Sequence, residues 1–221
     1  REVKVTGRAG VPVDAEAVFL NVAAINPSGP GYLTVFPCGI TPPLAANVNY
    51  NAGGVAASAV FAKIGAGGKV CVYTHAETDL VIDVNGFTLA GAGTQSLLPG
   101  RVLESRAGDP ALVTVDGMFQ GVGRTKAGKV REVKVTGRAG VPVDAEAVFL
   151  NVAAISPSGP GYLTVFPCGI DMPLAANVNY NAGGVAANAV FTKIGAGGKV
   201  CVYTHADTDL VIDVNGFTPA T

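Results

Sequence analysis

One feature limits what this chain can fold into more than any other: it contains nearly the same stretch twice. Residues 1–90 and 131–220 match at a constant offset of 130, and only seven pairs differ: Asn26/Ser156, Thr41/Asp171, Pro42/Met172, Ser58/Asn188, Ala62/Thr192, Glu77/Asp207 and Leu89/Pro219. Residues 91–130 occur once. The chain therefore reads as a first body at 1–90, a linking segment at 91–130 and a second body at 131–221. That period is well beyond the roughly 20–50 residues of solenoid and propeller repeats and suits a whole small domain repeated in tandem. Near-identical neighbours suit mechanical or multivalent roles, whereas a single-site enzyme gains little from them.

Apolar residues alternate between the Gly/Pro punctuation. Arg1–Thr6 sets Val3 and Val5 against Glu2, Lys4 and Thr6, the period of a half-exposed strand. Further strands are expected over Ala17–Ala24, Tyr32–Phe36, Asn47–Asn51, Val55–Ile64, Lys69–Thr74 and Leu80–Val84, the last closed by an Asn85-Gly86 turn. Asn26–Gly31, N-P-S-G-P-G, is a loop. The linking segment offers strands at Leu97–Ser105 and Ala111–Val115, a turn at Asp116-Gly117, and Val130–Thr136 leading into the second body. Short strands with glycine and proline turns, and no amphipathic helical period, predict an all-β fold. Its form is tandem antiparallel β-sandwich (or barrel-like) domains.

Charged residues are 14% of the chain, against roughly 25% in soluble domains. Fifteen Lys and Arg face 16 Asp and Glu for a net charge of −1. That leaves no electrostatic footprint for nucleic acid or an anionic membrane. No apolar run approaches the roughly 18 residues that span a bilayer, so no membrane insertion is expected. A weakly charged surface does little to oppose self-association. No signal peptide stands at the start, and the chain reads as a mature or trimmed product.

Each body holds two cysteines, Cys38 with Cys71 and Cys168 with Cys201, 33 positions apart. One bridge per body is the simplest of the three possible pairings. Closing such a loop stabilises by roughly 3–4 kcal/mol on the chain-entropy model and implies an oxidising compartment. The alternative is two buried free thiols per body. A four-cysteine zinc site lacks the close C-x2-C spacing and would draw on both bodies.

The motifs G-R-A-G-V-P (7–12), L-N-V (20–22), G-Y-L-T-V-F-P-C-G (31–39), N-V-N-Y (47–50), K-V-C-V-Y-T (69–74) and D-V-N-G-F (83–87) recur in the second body. Together they resemble a tandem repeat of secreted and cell-surface proteins of actinobacteria and some other bacteria. In that family a segment like R-L-L-D-T-R precedes each body; here Arg101–Arg106 reads R-V-L-E-S-R. The resemblance covers nearly the whole chain. It implies export, an all-β fold and a body disulfide, and it brings no catalytic or ligand residues with it. Ala23 and Ala153 depart from the pattern by standing where the family usually has Thr.

Few residues suggest chemistry. His75 and His205 are the only histidines, and Ser28 and Asp79 could join His75 in a hydrolytic triad by residue type alone, without a nucleophile-elbow motif. Glu77, Asp79 and Asp83, repeated as Asp207, Asp209 and Asp213, form an acidic run of the kind calcium accepts. They lack an EF-hand or nonapeptide pattern and read as solvated turn acids. By alternation Tyr32, Phe36 and Cys38 share one strand face, and Cys71, Tyr73 and His75 another. Tyr32, Tyr50 and Tyr73 are thus candidate glycan-stacking residues, the alternative being ordinary core. Gly65–Lys69, G-A-G-G-K, lacks phosphate-loop spacing and a following helix. No catalytic, metal or cofactor-binding residue is assigned, and no cofactor is expected.

The functional expectation is a non-enzymatic, secreted or cell-surface structural or adhesive protein that meets other copies of itself head to tail. A carbohydrate-binding module, with cell-surface glycans as partners, is the alternative. Two bodies share one linking segment, which is expected to give its strands to the second. The first would keep an open sheet edge, covered by a neighbouring copy, by strand addition or by a preceding repeat. The seven differing positions are expected to lie mostly on the surface.

Overall fold

Valine-rich alternating segments between glycine turns pair into fifteen strands, and no α-helix forms among the described residues, 1–91 and 93–220 of a computed structural model. The first body carries β1 (Glu2–Lys4), β2 (Ala15–Ile25), β3 (Gly31–Pro37), β4 (Val48–Tyr50), β5 (Val55–Lys63), β6 (Lys69–Thr74) and β7 (Asp79–Leu89). β8 (Gln95–Glu104) lies wholly in the linking segment, and β9 (Val130–Lys134) opens the second body. There follow β10 (Ala147–Ile155), β11 (Gly161–Pro167), β12 (Val178–Tyr180), β13 (Val185–Lys193), β14 (Lys199–Thr204) and β15 (Asp209–Thr218).

These strands make two tandem antiparallel β-sandwiches. The first pairs a sheet ordered β1-β6-β3-β4 with a three-stranded sheet ordered β5-β2-β7; the second pairs β12-β11-β14-β9 with β13-β10-β15-β8. Alternation sends Leu20, Val22, Leu33, Val35, Val70 and Val72 into the first core and their counterparts 130 positions on into the second. Each sandwich carries one disulfide, Cys38–Cys71 or Cys168–Cys201, with Cα atoms 4.9 and 5.0 Å apart. The G-A-G-G-K stretch is a 3-10 turn laid against the bridge. A Cβ on Gly65 would come within 2.2 Å of the Cys38 nitrogen, so only glycine allows that approach.

Two local expectations are corrected. Asn85-Gly86 is not a closing turn: β7 runs on to Leu89, and the register against β2 shifts between Phe19 and Leu20, so Asn85 sits in a bulge. Ala111–Val115 is not a strand. Thr114 turns its backbone N–H to Gln120 Oε1 and its hydroxyl to the Met118 carbonyl, spending on a local turn the groups a ladder would need. Among the residues of the seven differing pairs, only Ser58, Ala62 and Thr192 are buried.

β7 and β15 carry the same residues from Asp79 to Thr88 and from Asp209 to Thr218, yet their surroundings differ. β15 is buried along nearly its whole length, while β7 alternates between exposed and half-buried; Val211 is 3% exposed and Val81 46%. Sequence cannot cause that difference, so neighbours must.

Candidate functional site

The first neighbour is β8. It pairs antiparallel with β15, setting Arg101 opposite Asp213, Leu103 opposite Ile212 and Glu104 opposite Val211. Val102 and Leu103 are fully buried in the second core. The polar residues of R-V-L-E-S-R are all engaged. Arg101 donates through Nε to Asp213 Oδ1 at 2.9 Å and through Nη1 to Glu104 Oε2 at 3.1 Å. Arg106 grips both Glu104 oxygens at 2.8 Å. Ser105 Oγ donates to Asp209 Oδ1 at 2.7 Å and accepts the Leu210 N–H at 2.8 Å. Burial alone would lower the Arg101 pKa; the carboxylates of Asp213 and Glu104 outweigh it and raise it.

The rest of the linking segment wraps the same body. Arg138 forms a two-pronged pair with Asp116, at 2.6 and 2.7 Å, and its guanidinium lies 5.1 Å from the Phe119 ring centre. That hydrogen bonding holds the Asp116 carboxyl below its ordinary range, against a smaller opposing effect of burial. Asp207 accepts the Ala127 N–H at 2.7 Å and Lys126 Nζ at 3.0 Å, which lower its pKa likewise. Arg8, the first-body counterpart of Arg138, is exposed and among the described residues reaches only the Lys4 carbonyl, at 3.4 Å.

The second neighbour is the first body itself, whose edge sits on the outer face of the β13-β10-β15-β8 sheet. The Ala46 N–H donates to Asp213 Oδ2 at 2.7 Å, and Asn47 Nδ2 to Asn215 Oδ1 at 3.1 Å. Asn47 is aimed by the Val35 N–H, which donates to its Oδ1 at 2.6 Å. The Ala189 N–H donates to Ser58 Oγ at 3.1 Å. Phe61 packs 5.1 Å from Phe149 and lies so close over Gly216 that a Cβ there would come within 2.8 Å of its ring. Under this cover Asn151, Ala153, Val211 and Asp213 are buried. A threonine at Ala153 would place its hydroxyl in that contact. Neither amide atom of Asn151 finds a partner among the described residues, whereas Asn21 in the first body donates to Asp83 at 3.3 Å.

Both halves of this junction recur uncovered. The first body's outer sheet face presents Asp83 and Asn85 to solvent, and a Cβ on Gly86 would meet nothing closer than Phe19 at 3.8 Å. The second body's edge presents Ala176 and Leu174 to solvent, and Phe191 is 56% exposed where Phe61 is 4%. The contact is thus heterologous: its hydrogen bonds join an edge of one body to a face of the other. Phe19 on the uncovered face already stacks on Phe61 at 4.4 Å and lies 5.8 Å from Phe149, so that end of the face adjoins the junction.

The residues singled out for chemistry are distributed differently. Tyr50 is a core residue, 2% exposed, its hydroxyl accepting the Ala76 N–H at 2.9 Å. It offers no ring face to a sugar. Tyr32 and Tyr73 lie on the outer face of the disulfide-bearing sheet, 5.8 Å apart and tilted by 44°, and Tyr32 stacks on His75 at 5.4 Å. Burial raises the Tyr32 pKa, helped by Tyr73. Tyr32, His75, Arg101, Arg106 and Ile155 line a groove of about 410 Å³ between the bodies. Asp209 and Asp213 are not solvated turn acids: they lie in a strand and are occupied by Arg124 and Arg101. Glu2 approaches the sulfurs of Cys38 and Cys71, but these form a disulfide and present no thiolates to a metal.

Spacing alone could not reveal the Asp213 contact with Ala46, because the same aspartate appears as Asp83 with no partner body on it. The only sequence signal for it was the unequal count of bodies and linking segments. Among the described residues no helix is long and apolar enough to cross a membrane. No protein-family model matches the chain, and neither does any curated protein.

Proposed function

We propose that this chain is a structural or adhesive unit of an extracellular or cell-surface assembly, extended head to tail through the junction between its bodies. The observation that carries this reading is the heterologous contact, whose hydrogen-bonding edge and face each recur exposed in the chain, at Ala176 and at Asp83 and Asn85. Such a contact does not close on itself by pairing like with like, and repeating it generates a filament or ring. Ala176 and Asn177 of one copy then meet Asp83 and Asn85 of the next, as Ala46 and Asn47 meet Asp213 and Asn215 within the chain, with the exposed Phe191 beside them. One disulfide per body suits an oxidising compartment, and the motif resemblance to exported repeats supports the same location. Sedimentation velocity and electron microscopy over a rising concentration series test it. Species larger than one chain, lost on Phe191→Asp, are expected; a chain that stays monomeric at millimolar concentration overturns the reading.

A second reading, glycan binding, draws on the Tyr32–His75 stack beside the arginine-bearing groove, a stack repeated by Tyr162 and His205 at 5.3 Å. A glycan array with wild type and Tyr32→Ala decides it.

A further inference from the structure

We propose that the open side of the first body is a strand-acceptor site, which binds an extended segment of R-V-L-E-S-R chemistry supplied by another repeat unit. This deepens the head-to-tail reading and rests on it only for the source of the strand.

The acceptor already exists in occupied form in the second body. There β8 lies between β15 and the chain entering from β9, with Val102 and Leu103 in the core, Arg101 on Asp213 and Ser105 on Asp209. In the first body the two walls that the body itself supplies, β7 and residues 3–9, are present with the same residues as β15 and residues 133–139, and among the described residues no strand lies between them. A groove of about 380 Å³ runs between Val3, Val5, Ile82 and Val84, with Arg8 and Asp83 at its rim. A second groove of about 440 Å³ continues it past Thr78, Asp79 and Leu80. Together they trace the course of residues 100–105 on the second body. Val3, Leu80, Ile82 and Val84 are only partly buried, while Val133, Leu210, Ile212 and Val214 are sealed.

The recognition chemistry is specific at each point. Asp83 takes the position of Asp213 and calls for an arginine in the strand. Asp79 takes the position of Asp209 and calls for a serine hydroxyl beyond it. Arg8 takes the position of Arg138 and calls for a carboxylate further along, as Asp116 supplies. Among the described residues no strand lies on the outer edge of β7, so its backbone groups are available for a ladder.

Residues 1–221 cannot fill this slot without opening another. They hold two acceptor strands, β7 and β15, and one donor, β8. Were β8 to fold back on β7 in the same register, β15 would be left bare. One acceptor always remains for a strand from beyond residues 1–221.

The test uses a fluorescent synthetic peptide of residues 93–107 and the full chain carrying Phe191→Asp. That background does not propagate head to tail, so strand binding is read apart from assembly. Saturable one-to-one binding is expected, with a scrambled peptide inert. Asp83→Asn in the protein, or Arg101→Ala in the peptide, weakens binding at least tenfold by removing one side of a charge-assisted pair. Hydrogen exchange then shows new protection on β7. The identical strands are told apart by fragments that include Glu77 and Leu89 or Asp207 and Pro219. Absence of binding at saturating peptide, indifference to both substitutions, or protection appearing on β15 instead overturns the proposal.

Discussion

The backbone N–H of Ala46 donates to the Asp213 carboxylate at 2.7 Å across the junction of two bodies, while the other oxygen of that carboxylate receives Arg101 at 2.9 Å. One buried side chain thus ties together the first body, the linking segment and the second body. Asp83, its counterpart in the same local sequence, is exposed and bears neither contact. Asp213→Ala removes one of the two carboxylates that hold a buried arginine, together with the acceptor of the Ala46 N–H, and is expected to cost about 3 kcal/mol. Asp83→Ala is expected to stay within about 0.5 kcal/mol of wild type. Urea unfolding followed residue by residue by hydrogen exchange measures both, since two sandwiches need not unfold as one. Equal effects at the two positions would contradict the junction.

Leu103 comes from the linking segment yet is fully buried in the second core. Leu103→Ala is expected to destabilise the second body by about 2–5 kcal/mol through lost transfer energy and a residual cavity. The first body makes no use of this side chain in its own core, so exchange in β2 and β5 should hardly change. A loss shared equally by both bodies would mean that β8 is not the private strand of the second.

Acid should loosen the linking segment. The Asp116 carboxyl is depressed by its hydrogen bond from Arg138, and that of Asp207 by the Ala127 N–H and Lys126. A carboxyl depressed in the folded state contributes stability that is complete above its unfolded value of about 3.9. That stability is lost as pH falls through the lower folded value. Limited proteolysis is expected to show cleavage within residues 105–130 rising below about pH 4 while the disulfide-bearing sheets remain intact. Asp116→Asn should bring the same cleavage at neutral pH and flatten the pH dependence.

Alternation and turn residues made the all-β class, most strand positions and the cysteine pairing legible. What escaped was whatever depends on two distant segments meeting. Asn85 looked like a turn because Asn-Gly usually makes one, but β2 and a bulge carried the strand through it. Tyr50 looked like a partner for Tyr32 and Tyr73, but its short strand is phased with its ring inward, under Thr74 and Ala76. Ser58 looked like a surface position because Asn188 replaces it in the second body. It is buried because that body covers it, while Asn188 stands exposed at the uncovered edge. Identical sequence with unequal burial is a signal that only the pairing of strands can resolve.

The same identity permits a measurement with an internal reference. Intrinsic amide exchange depends on local sequence, and β7 and β15 share theirs from Asp79 to Thr88 and from Asp209 to Thr218. Any ratio of exchange rates between matched amides is therefore a difference in opening free energy. β15 gains a ladder with β8 and the burial of Val102 and Leu103 beside it. Full burial of such side chains stabilises by roughly 1.5–3 kcal/mol each. After a discount for residual burial in the unfolded chain, matched amides should still exchange on the order of a hundredfold more slowly in β15 than in β7. The gap should be widest at Ile82 and Ile212, where Leu103 sits opposite the second, and should narrow towards Thr88 and Thr218. Equal rates would mean that the linking segment adds no local stability, and that the first body needs no strand beyond those it already has.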